Sequence, residues 1–516
     1  TPHHIRVTQN FFLKLLEQDY IFIDTTRQYY SPAEKRFLPD RYIEGKCSFC
    51  GSVDTRSDYC ETCNKILDQG DILEPKSKLT NFPVELKNTE HYFVDWGKIQ
   101  KDLKLSDYVE NHKNDWREWV YKESLGWLKE GLKPRAITRD LDWGVPLPVE
   151  KIPPDKRIEN IENKRIYVWF DAVIGYYSAS LLWAKMQRFG LNQEEAESKT
   201  DIDGGNSLPF GRQGRACPPT CRTGRPLAGL VSAKGTLETD LLENELADWW
   251  LNKSSKHYYF MGQDNLVFHT LFWPGKLKAY NSKLHLPDVV SINKFLNLEG
   301  RAFSKSRGIS ISISDIVKKY GHDPVRFYLT YIMPETRQSS FYLTDFQEKV
   351  NSVLIGSFGN FIHRTLSIAR KVDIQRVSQV KLEGEVGDRI ARSFIQSRDL
   401  LDRCEFRKYL DTIITLSNFA NKLFDQKGVW RLKKEDIKAY AYSLKSLYAL
   451  VMVLGYLALP LMPESAAKIL NLLGLEAPAC WPEFGDEVEL VEKLIPQIDT
   501  GIEPEPLFRK IEEEGI

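Results

Sequence analysis

The sequence predicts an α/β region followed by an all-α region. Up to about residue 310, apolar runs of strand length alternate with loops and helical periods, the pattern of a parallel sheet wound with helices. After Thr344 the apolar spacing becomes helical to about residue 475, with few strand signals, which reads as a helix bundle. Two Cys-x2-Cys pairs, Cys47/Cys50 and Cys60/Cys63, lie nine residues apart and mark a small metal-built patch.

In chain order, residues 1 to about 30 read as a helix with the apolar face Phe11, Phe12, Leu13, Leu15 and Leu16, leading into a strand at Tyr20–Ile23. Residues 40–85 are polar and punctuated by Cys and Gly, and 90–135 carry a helical period rich in Trp and Tyr. Residues 164–185 predict a strand, a turn from Asp171 to Gly175, and a helix. Tyr258–Met261 is a buried-strand candidate ending at Gly262, with a helix from about 265 and a further strand through Val289 and Val290. Ser291–Gly300 reads as a short strand pair. Thr344–Gln347 has the form of a capping box. The Pro-containing acidic tail from Ile498 is expected to wrap back as an extended arm. The stretch 204–236 is rich in Gly, Pro and Arg without apolar periodicity, so it predicts loop.

The composition is that of an ordinary globular protein, 42% hydrophobic and 28% charged, long enough at 516 residues for three or four domains. Lys+Arg equals Asp+Glu at 71 each, so any nucleic-acid contact must come from local patches. Apolar runs look too short for the roughly 20 residues that cross a bilayer, so no membrane partner is expected. Eight cysteines, four clustered and four scattered, do not form a secreted disulfide framework and suit a reducing cytoplasm. Four thiolates at the observed spacing close a tetrahedral Zn²⁺ site with no open position, so the metal is structural.

The most informative stretch is Arg301-Ala302-Phe303-Ser304-Lys305-Ser306-Arg307-Gly308, a basic loop suited to a polyphosphate. It resembles the KMSKS signature loop of class I aminoacyl-tRNA synthetases. Arg139–Pro146 resembles the R-D-x-x-W-G-x-P block of one member family, the methionyl-tRNA synthetases. Tyr167–Tyr176 is similar to its Y-V-W-F-D-A-P-I-G-Y block, and Met261–His269 to its I-G-K-D-N-x-x-F-H block. Asn360 and Arg364 match an N-x-x-x-R pair, and Trp430 a tryptophan that closes a later helix.

The resemblance implies a partial Rossmann-like class I catalytic domain with a zinc-binding connective insertion, followed by an anticodon-binding helix bundle. It divides the chain into a remnant of the first catalytic half (1–30), a connective domain (31–135), the second catalytic half (136–310, with the atypical loop 204–236), a stem-contact linker (311–343), and the bundle with its arm (344–516). It implies ATP-dependent activation of methionine and transfer to tRNA(Met). Trp169, Ala172, Tyr176 and His269 would hold methionine. Gly262, Asp264, Ser304, Lys305 and Ser306 would hold ATP with Mg²⁺, Lys305 carrying the leaving pyrophosphate. Asn360, Arg364 and Trp430 would read the anticodon. Unaided by the resemblance, Trp169 reads as core, His269 as an ordinary helix residue, and the anticodon trio as bundle packing; Arg139 suits a contact across the site or a structural ion pair.

Departures from the family pattern are Ala302 for the first signature lysine, Val173 for a proline and Gln263 for a lysine. Pro75–Thr80, where some relatives have a second zinc knob, has no cysteine, so one zinc is expected. No His-Ile-Gly-His-like motif is found, and the chain starts at Thr1 without methionine. The expectation is an incomplete chain that alone does not form methionyl-adenylate. The rival expectations are a sister class I synthetase and a zinc-containing tRNA-binding protein without catalysis. The sequence leaves the oligomeric state open.

Overall fold

A computed structural model describes residues 1–38, 42–53, 55–56, 60, 63, 67, 70–198, 237–302, 310–478 and 487–512. The chain forms two compact units, one of residues 1–114, 118–259 and 265–290, the other of 115–117, 260–264 and 291–516. The stretches 204–236 and 303–309, with Ser304, Lys305, Ser306, Cys217 and Cys221, lie outside the described residues.

In the first unit, helix Pro2–Glu17 starts where the Thr1 hydroxyl accepts the His4 amide and proline occupies the first turn. It buries Val7, Phe11, Phe12, Leu15 and Leu16. Strand Ile21–Ser31 pairs antiparallel with Glu85–Val94, from Ile21 opposite Val94 to Tyr30 opposite Glu85. Residues 90–94 are therefore strand, not the expected helix. Along that strand Thr89, His91 and Val94 are buried, and the long ladder overrides the local helical period. Between the paired strands, Ile43–Cys47 is flanked by Thr55–Arg56 and Ile72–Ser77 in a small antiparallel sheet.

Thr138–Asp140 and Val145–Pro146 flank Lys164–Ile166, also antiparallel. Helix Val168–Asp171 then runs through the single turn Ala172–Ile174 into helix Gly175–Phe189. The expected turn at 171–175 is thus helical: Gly175 has φ −51°, a conformation that continues the helix. The expected strand–helix–strand order is present as Tyr258–Gly262, Trp273–Tyr280 and Val289–Asn293, with the two strands in one small sheet, but the first strand is not the buried one expected, since only Tyr259 along it is buried while Tyr258 and Phe260 are exposed.

In the second unit, Leu296–Leu298 pairs antiparallel with Arg301–Ala302 and parallel with Ser339–Phe341. Glu299 and Gly300 both take positive φ (49° and 78°), the two-residue hairpin that launches the signature loop. Helices from Leu343 to Leu472 pack on one continuous apolar core. The capping box does not form. Helix Leu343–Lys349 begins one residue before Thr344, and Asp345 instead accepts a hydrogen bond from the Tyr328 hydroxyl at 2.7 Å.

Helix Ile437–Ala458 corrects the expectation about apolar runs. Its 22 residues are long and apolar enough to cross a bilayer, but 94% of its apolar window is buried. It is the central helix of the bundle, apolar all round because other helices surround it. The tail wraps back as expected: Asn351 exchanges two hydrogen bonds with Ile511 (2.8 and 2.9 Å), and the Lys371 amide donates to Thr500.

Candidate active site

In the first unit, helix Val168–Asp171 and the start of helix Gly175–Phe189 bring Trp169 and Tyr176 to the segment that carries His269, with Ala172 in the turn between them. The Trp169 ring stacks on Phe268 with centroids 4.5 Å apart and planes 17° from parallel, yet it stays 47% exposed. The Tyr176 hydroxyl lies 2.9 Å from His269 Nε2, and His269 Nδ1 lies 3.0 Å from the Asn265 carbonyl oxygen. A carbonyl only accepts, so Nδ1 carries the proton and Nε2 accepts from the tyrosine. Burial lowers the His269 pKa, which keeps the ring neutral and this tautomer fixed, while burial raises that of Tyr176. Tyr259 packs edge-on against Tyr176 at 4.9 Å.

A cavity of about 210 Å³ opens beside these rings, lined by Trp96, Arg135, Arg139, Tyr167, Trp169 and Phe268. Arg139 donates to the Thr138 carbonyl at 2.8 Å, and its guanidinium sits 4.6 Å from the centre of the Tyr167 ring.

Sequence reasoning missed Lys276. It is fully buried on helix Trp273–Tyr280, and its ammonium donates to the Phe170 carbonyl at 2.7 Å, fixing the turn between Trp169 and Ala172. Burial pulls its pKa down to about 7, against the opposing pull of Asp171. The available signal was a lysine set among Trp273, Pro274, Gly275 and Leu277, one turn from the helix start.

Gly262 and Asp264 belong to the second unit. Gly262 ends its strand, and a Cβ there would lie 2.7 Å from Asp264 Oδ1. The exposed Asp264 carboxylate therefore folds back over Gly262, and a side chain there would push it aside. On helix Asn360–Ile368, Arg364 donates to Asp425 at 2.8 Å and lies over the Phe424 ring at 4.3 Å. Phe424 is 6.1 Å from the half-exposed Trp430. Arg364 and Trp430 thus flank one aromatic ring, with the exposed Asn360 one helical turn before Arg364. Trp430 opens helix Val429–Glu435 rather than closing the one before, which stops at Gly428 with φ +56°.

The four predicted metal ligands come together in the first unit, with the Sγ atoms of Cys47, Cys50, Cys60 and Cys63 all within 4.8 Å of one another. Cys47 to Cys63 is 3.9 Å and Cys50 to Cys60 is 3.6 Å. A tetrahedron with metal–sulfur bonds of about 2.3 Å has edges of about 3.8 Å, so the cluster fits a metal ion. Gly51 (φ +73°) returns its amide to the Cys47 carbonyl at 2.9 Å, closing the first knuckle.

Comparison with known proteins gives the family of the chain. Residues 1–199 and 227–366 match the family described as tRNA synthetases class I (M), and 377–516 match the anticodon binding domain of methionyl tRNA ligase. The unmatched 200–226 fall largely within the Gly-, Pro- and Arg-rich stretch. The methionine–tRNA ligase of Pyrococcus furiosus is 31% identical over 529 residues, spanning 100% of this chain and 63% of that protein. That of Thermobifida fusca is 34% identical over 493 residues, spanning 92% of this chain and 70% of that protein. The crystal structure of Mycobacterium tuberculosis methionyl-tRNA synthetase bound by methionyl-adenylate shares the fold, with TM-score 0.63 at 18% identity over 98% of this chain and 81% of that one.

The fold and the family match define a class I tRNA synthetase, with a catalytic domain, a connective insertion and a helical anticodon domain. Within that class, the chain belongs to the methionine–tRNA ligase family. It spans less than two thirds of the archaeal relatives it matches.

Proposed function

We propose that the chain carries the methionine pocket, the zinc knuckle and the anticodon domain of a methionine–tRNA ligase. The observation that carries this is the Trp169–Tyr176–His269 constellation, with its fixed tautomer and its stacked, half-open indole. Aromatic faces suit a polarisable thioether. The neutral imidazole and the phenol add polar contacts, and Ala172 leaves room for the side chain. The methionine carboxylate attacks the ATP α-phosphate and pyrophosphate leaves; the methionyl group then passes to a hydroxyl of the terminal ribose of tRNA(Met).

In this reading Gly262 lets the protein backbone approach the nucleotide closely and Asp264 holds ribose hydroxyls. Ser304, Lys305 and Ser306 bind the phosphates, with Lys305 neutralising the leaving pyrophosphate alongside the Mg²⁺ that accompanies ATP. Asn360, Arg364 and Trp430 read unstacked anticodon bases by hydrogen bonds and stacking. Zinc, held by Cys47, Cys50, Cys60 and Cys63, is structural, because all four positions are taken by protein sulfur. The division into 1–30, 31–135, 136–310, 311–343 and 344–516 and a reducing cytoplasmic setting belong to the same reading.

The test is methionine-dependent ATP–pyrophosphate exchange, run on this chain and on the full product of its gene. Exchange by the full product, lost with Lys305→Ala, is the expected result. A full product that exchanges with another amino acid, or with none, overturns the reading.

A further inference from the structure

A second cavity in the first unit shares no wall residue with the one beside Trp169. It measures about 650 Å³ and is bounded by the hairpin residues Tyr30, Lys35 and Arg36 and by the turn that carries Asp142 and Trp143. None of its walls uses a residue assigned above to methionine, ATP, metal or anticodon. Trp143 is its most unusual wall, an indole 89% exposed. It is held on a short turn whose next residue, Gly144, takes φ +138° and would bring a Cβ to within 3.1 Å of Arg165. The bend thus presents a large aromatic face to water, where it adds nothing to the core. On the opposite side Tyr30 and Phe37 pack edge to face at 5.2 Å.

The polar groups divide by role. Asp140 is occupied from behind, by Lys164 at 2.9 Å and by the Thr89 hydroxyl at 3.0 Å. Asp142 is 90% exposed and meets Arg36 at 3.4 Å, while Arg36 is itself steadied by Glu34 at 3.1 Å. Lys35 stands beside it on a left-handed turn (φ +54°), its side chain exposed. Asn160 and Asn163 supply amide donors and acceptors on the remaining wall.

We propose that this cavity binds a ribonucleotide: the base on the Trp143 face, the ribose diol at Asp142, and the phosphate toward Lys35 and Arg36. An aromatic face, an accessible carboxylate and a cation pair within one space of ligand size match those three parts together. The ligand chemistry has two sources, a free nucleoside monophosphate or the single-stranded 3′ end of an RNA. Only the RNA source rests on the ligase reading.

The experiment uses the full chain with its methionine and ATP sites filled by a non-hydrolysable methionyl-adenylate analogue. Binding of AMP and of a short oligoribonucleotide ending in CCA is then measured by equilibrium dialysis. One further equivalent is expected. Trp143→Ala weakens it at least about fivefold, the low end for losing one base-stacking ring. Trp143→Phe restores most of the affinity, and 2′,3′-dideoxy-AMP binds more weakly than AMP. The double variant Lys35→Ala/Arg36→Ala weakens AMP but not adenosine, and it stands in if Trp143→Ala fails to fold. Tighter binding of the oligonucleotide than of AMP assigns the site to an RNA end; equal binding assigns it to the free nucleotide. No further equivalent of either probe, or one indifferent to both sets of substitutions, overturns the proposal. Pyrophosphate exchange by the full gene product, unchanged in Trp143→Ala, is followed in parallel. A silent cavity with exchange intact defeats this inference alone; a responding cavity without exchange defeats the ligase reading alone.

Discussion

The cysteine knuckle of the first unit and the helix bundle of the second hold themselves together by different means. In the second, buried side chains from Ile316 to Ile511 form one cluster around helix Ile437–Ala458, most of whose length is buried. In the first, the knuckle sheet has a core of Cys47, Cys60, Leu67 and Ile72, and fully buried polar side chains recur: His91, Lys164 and Lys276. A bundle with a wide apolar core gains stability roughly in proportion to area removed from water. A knuckle with four buried core side chains among its described residues gains little that way, and ligand bonds close it. Buried lysine and histidine cost stability and are tolerated where they position something.

The largest expected effect sharpens that contrast. Chelating the metal, or Cys60→Ser, removes a binding free energy on the order of 10 kcal/mol, far more than the knuckle core supplies. Limited proteolysis is then expected to open the chain within 43–77, with metal content falling to zero while the helical circular-dichroism signal is retained. Retained protease resistance there would show that the sulfur cluster is dispensable. The reciprocal change is Leu454→Ala at the centre of the buried helix, where Leu454 is 0% exposed. It is expected to cost about 2–5 kcal/mol in urea unfolding with metal content unchanged.

Lys276→Met tests the buried charge through pH. The folded-state pKa of about 7 lies below the ordinary 10.5, so unfolding takes up a proton between those values. Stability therefore rises with pH across that window, and the penalty is complete below pH 7. The methionine variant loses this dependence. Its gain over the parent is expected to be largest below pH 7 and to shrink by about 1.4 kcal/mol per pH unit toward pH 10.

Tyr176→Phe removes the donor to His269 Nε2 and is expected to cost about 1 kcal/mol in stability, with weaker methionine binding seen by calorimetry. Arg364→Ala is the smallest change in stability, under about 1 kcal/mol, because the pair with Asp425 is 35% and 59% exposed. Its larger effect is expected in tRNA affinity, which separates reading from packing on that helix.

What the sequence alone carried was local and chemical. Four cysteines at fixed spacing need no knowledge of distant residues, because the metal's tetrahedron dictates their meeting. The helical period after Thr344 survived because a bundle is built from local contacts. The Trp169–Tyr176 and Met261–His269 blocks were legible only as a resemblance, since either ring alone reads as core.

Tertiary structure decided the rest. It turned residues 90–94 into strand, because ten ladder partners in Ile21–Ser31 outweigh a local period. It moved the helix start ahead of Thr344 and gave the Gln347 amide to the Glu512 carbonyl, so the box does not close. It placed the long apolar helix Ile437–Ala458 in a core, since burial depends on neighbours that composition does not show. It also set Lys276 against the Phe170 carbonyl, 106 residues away in the chain, a contact that no local pattern encodes.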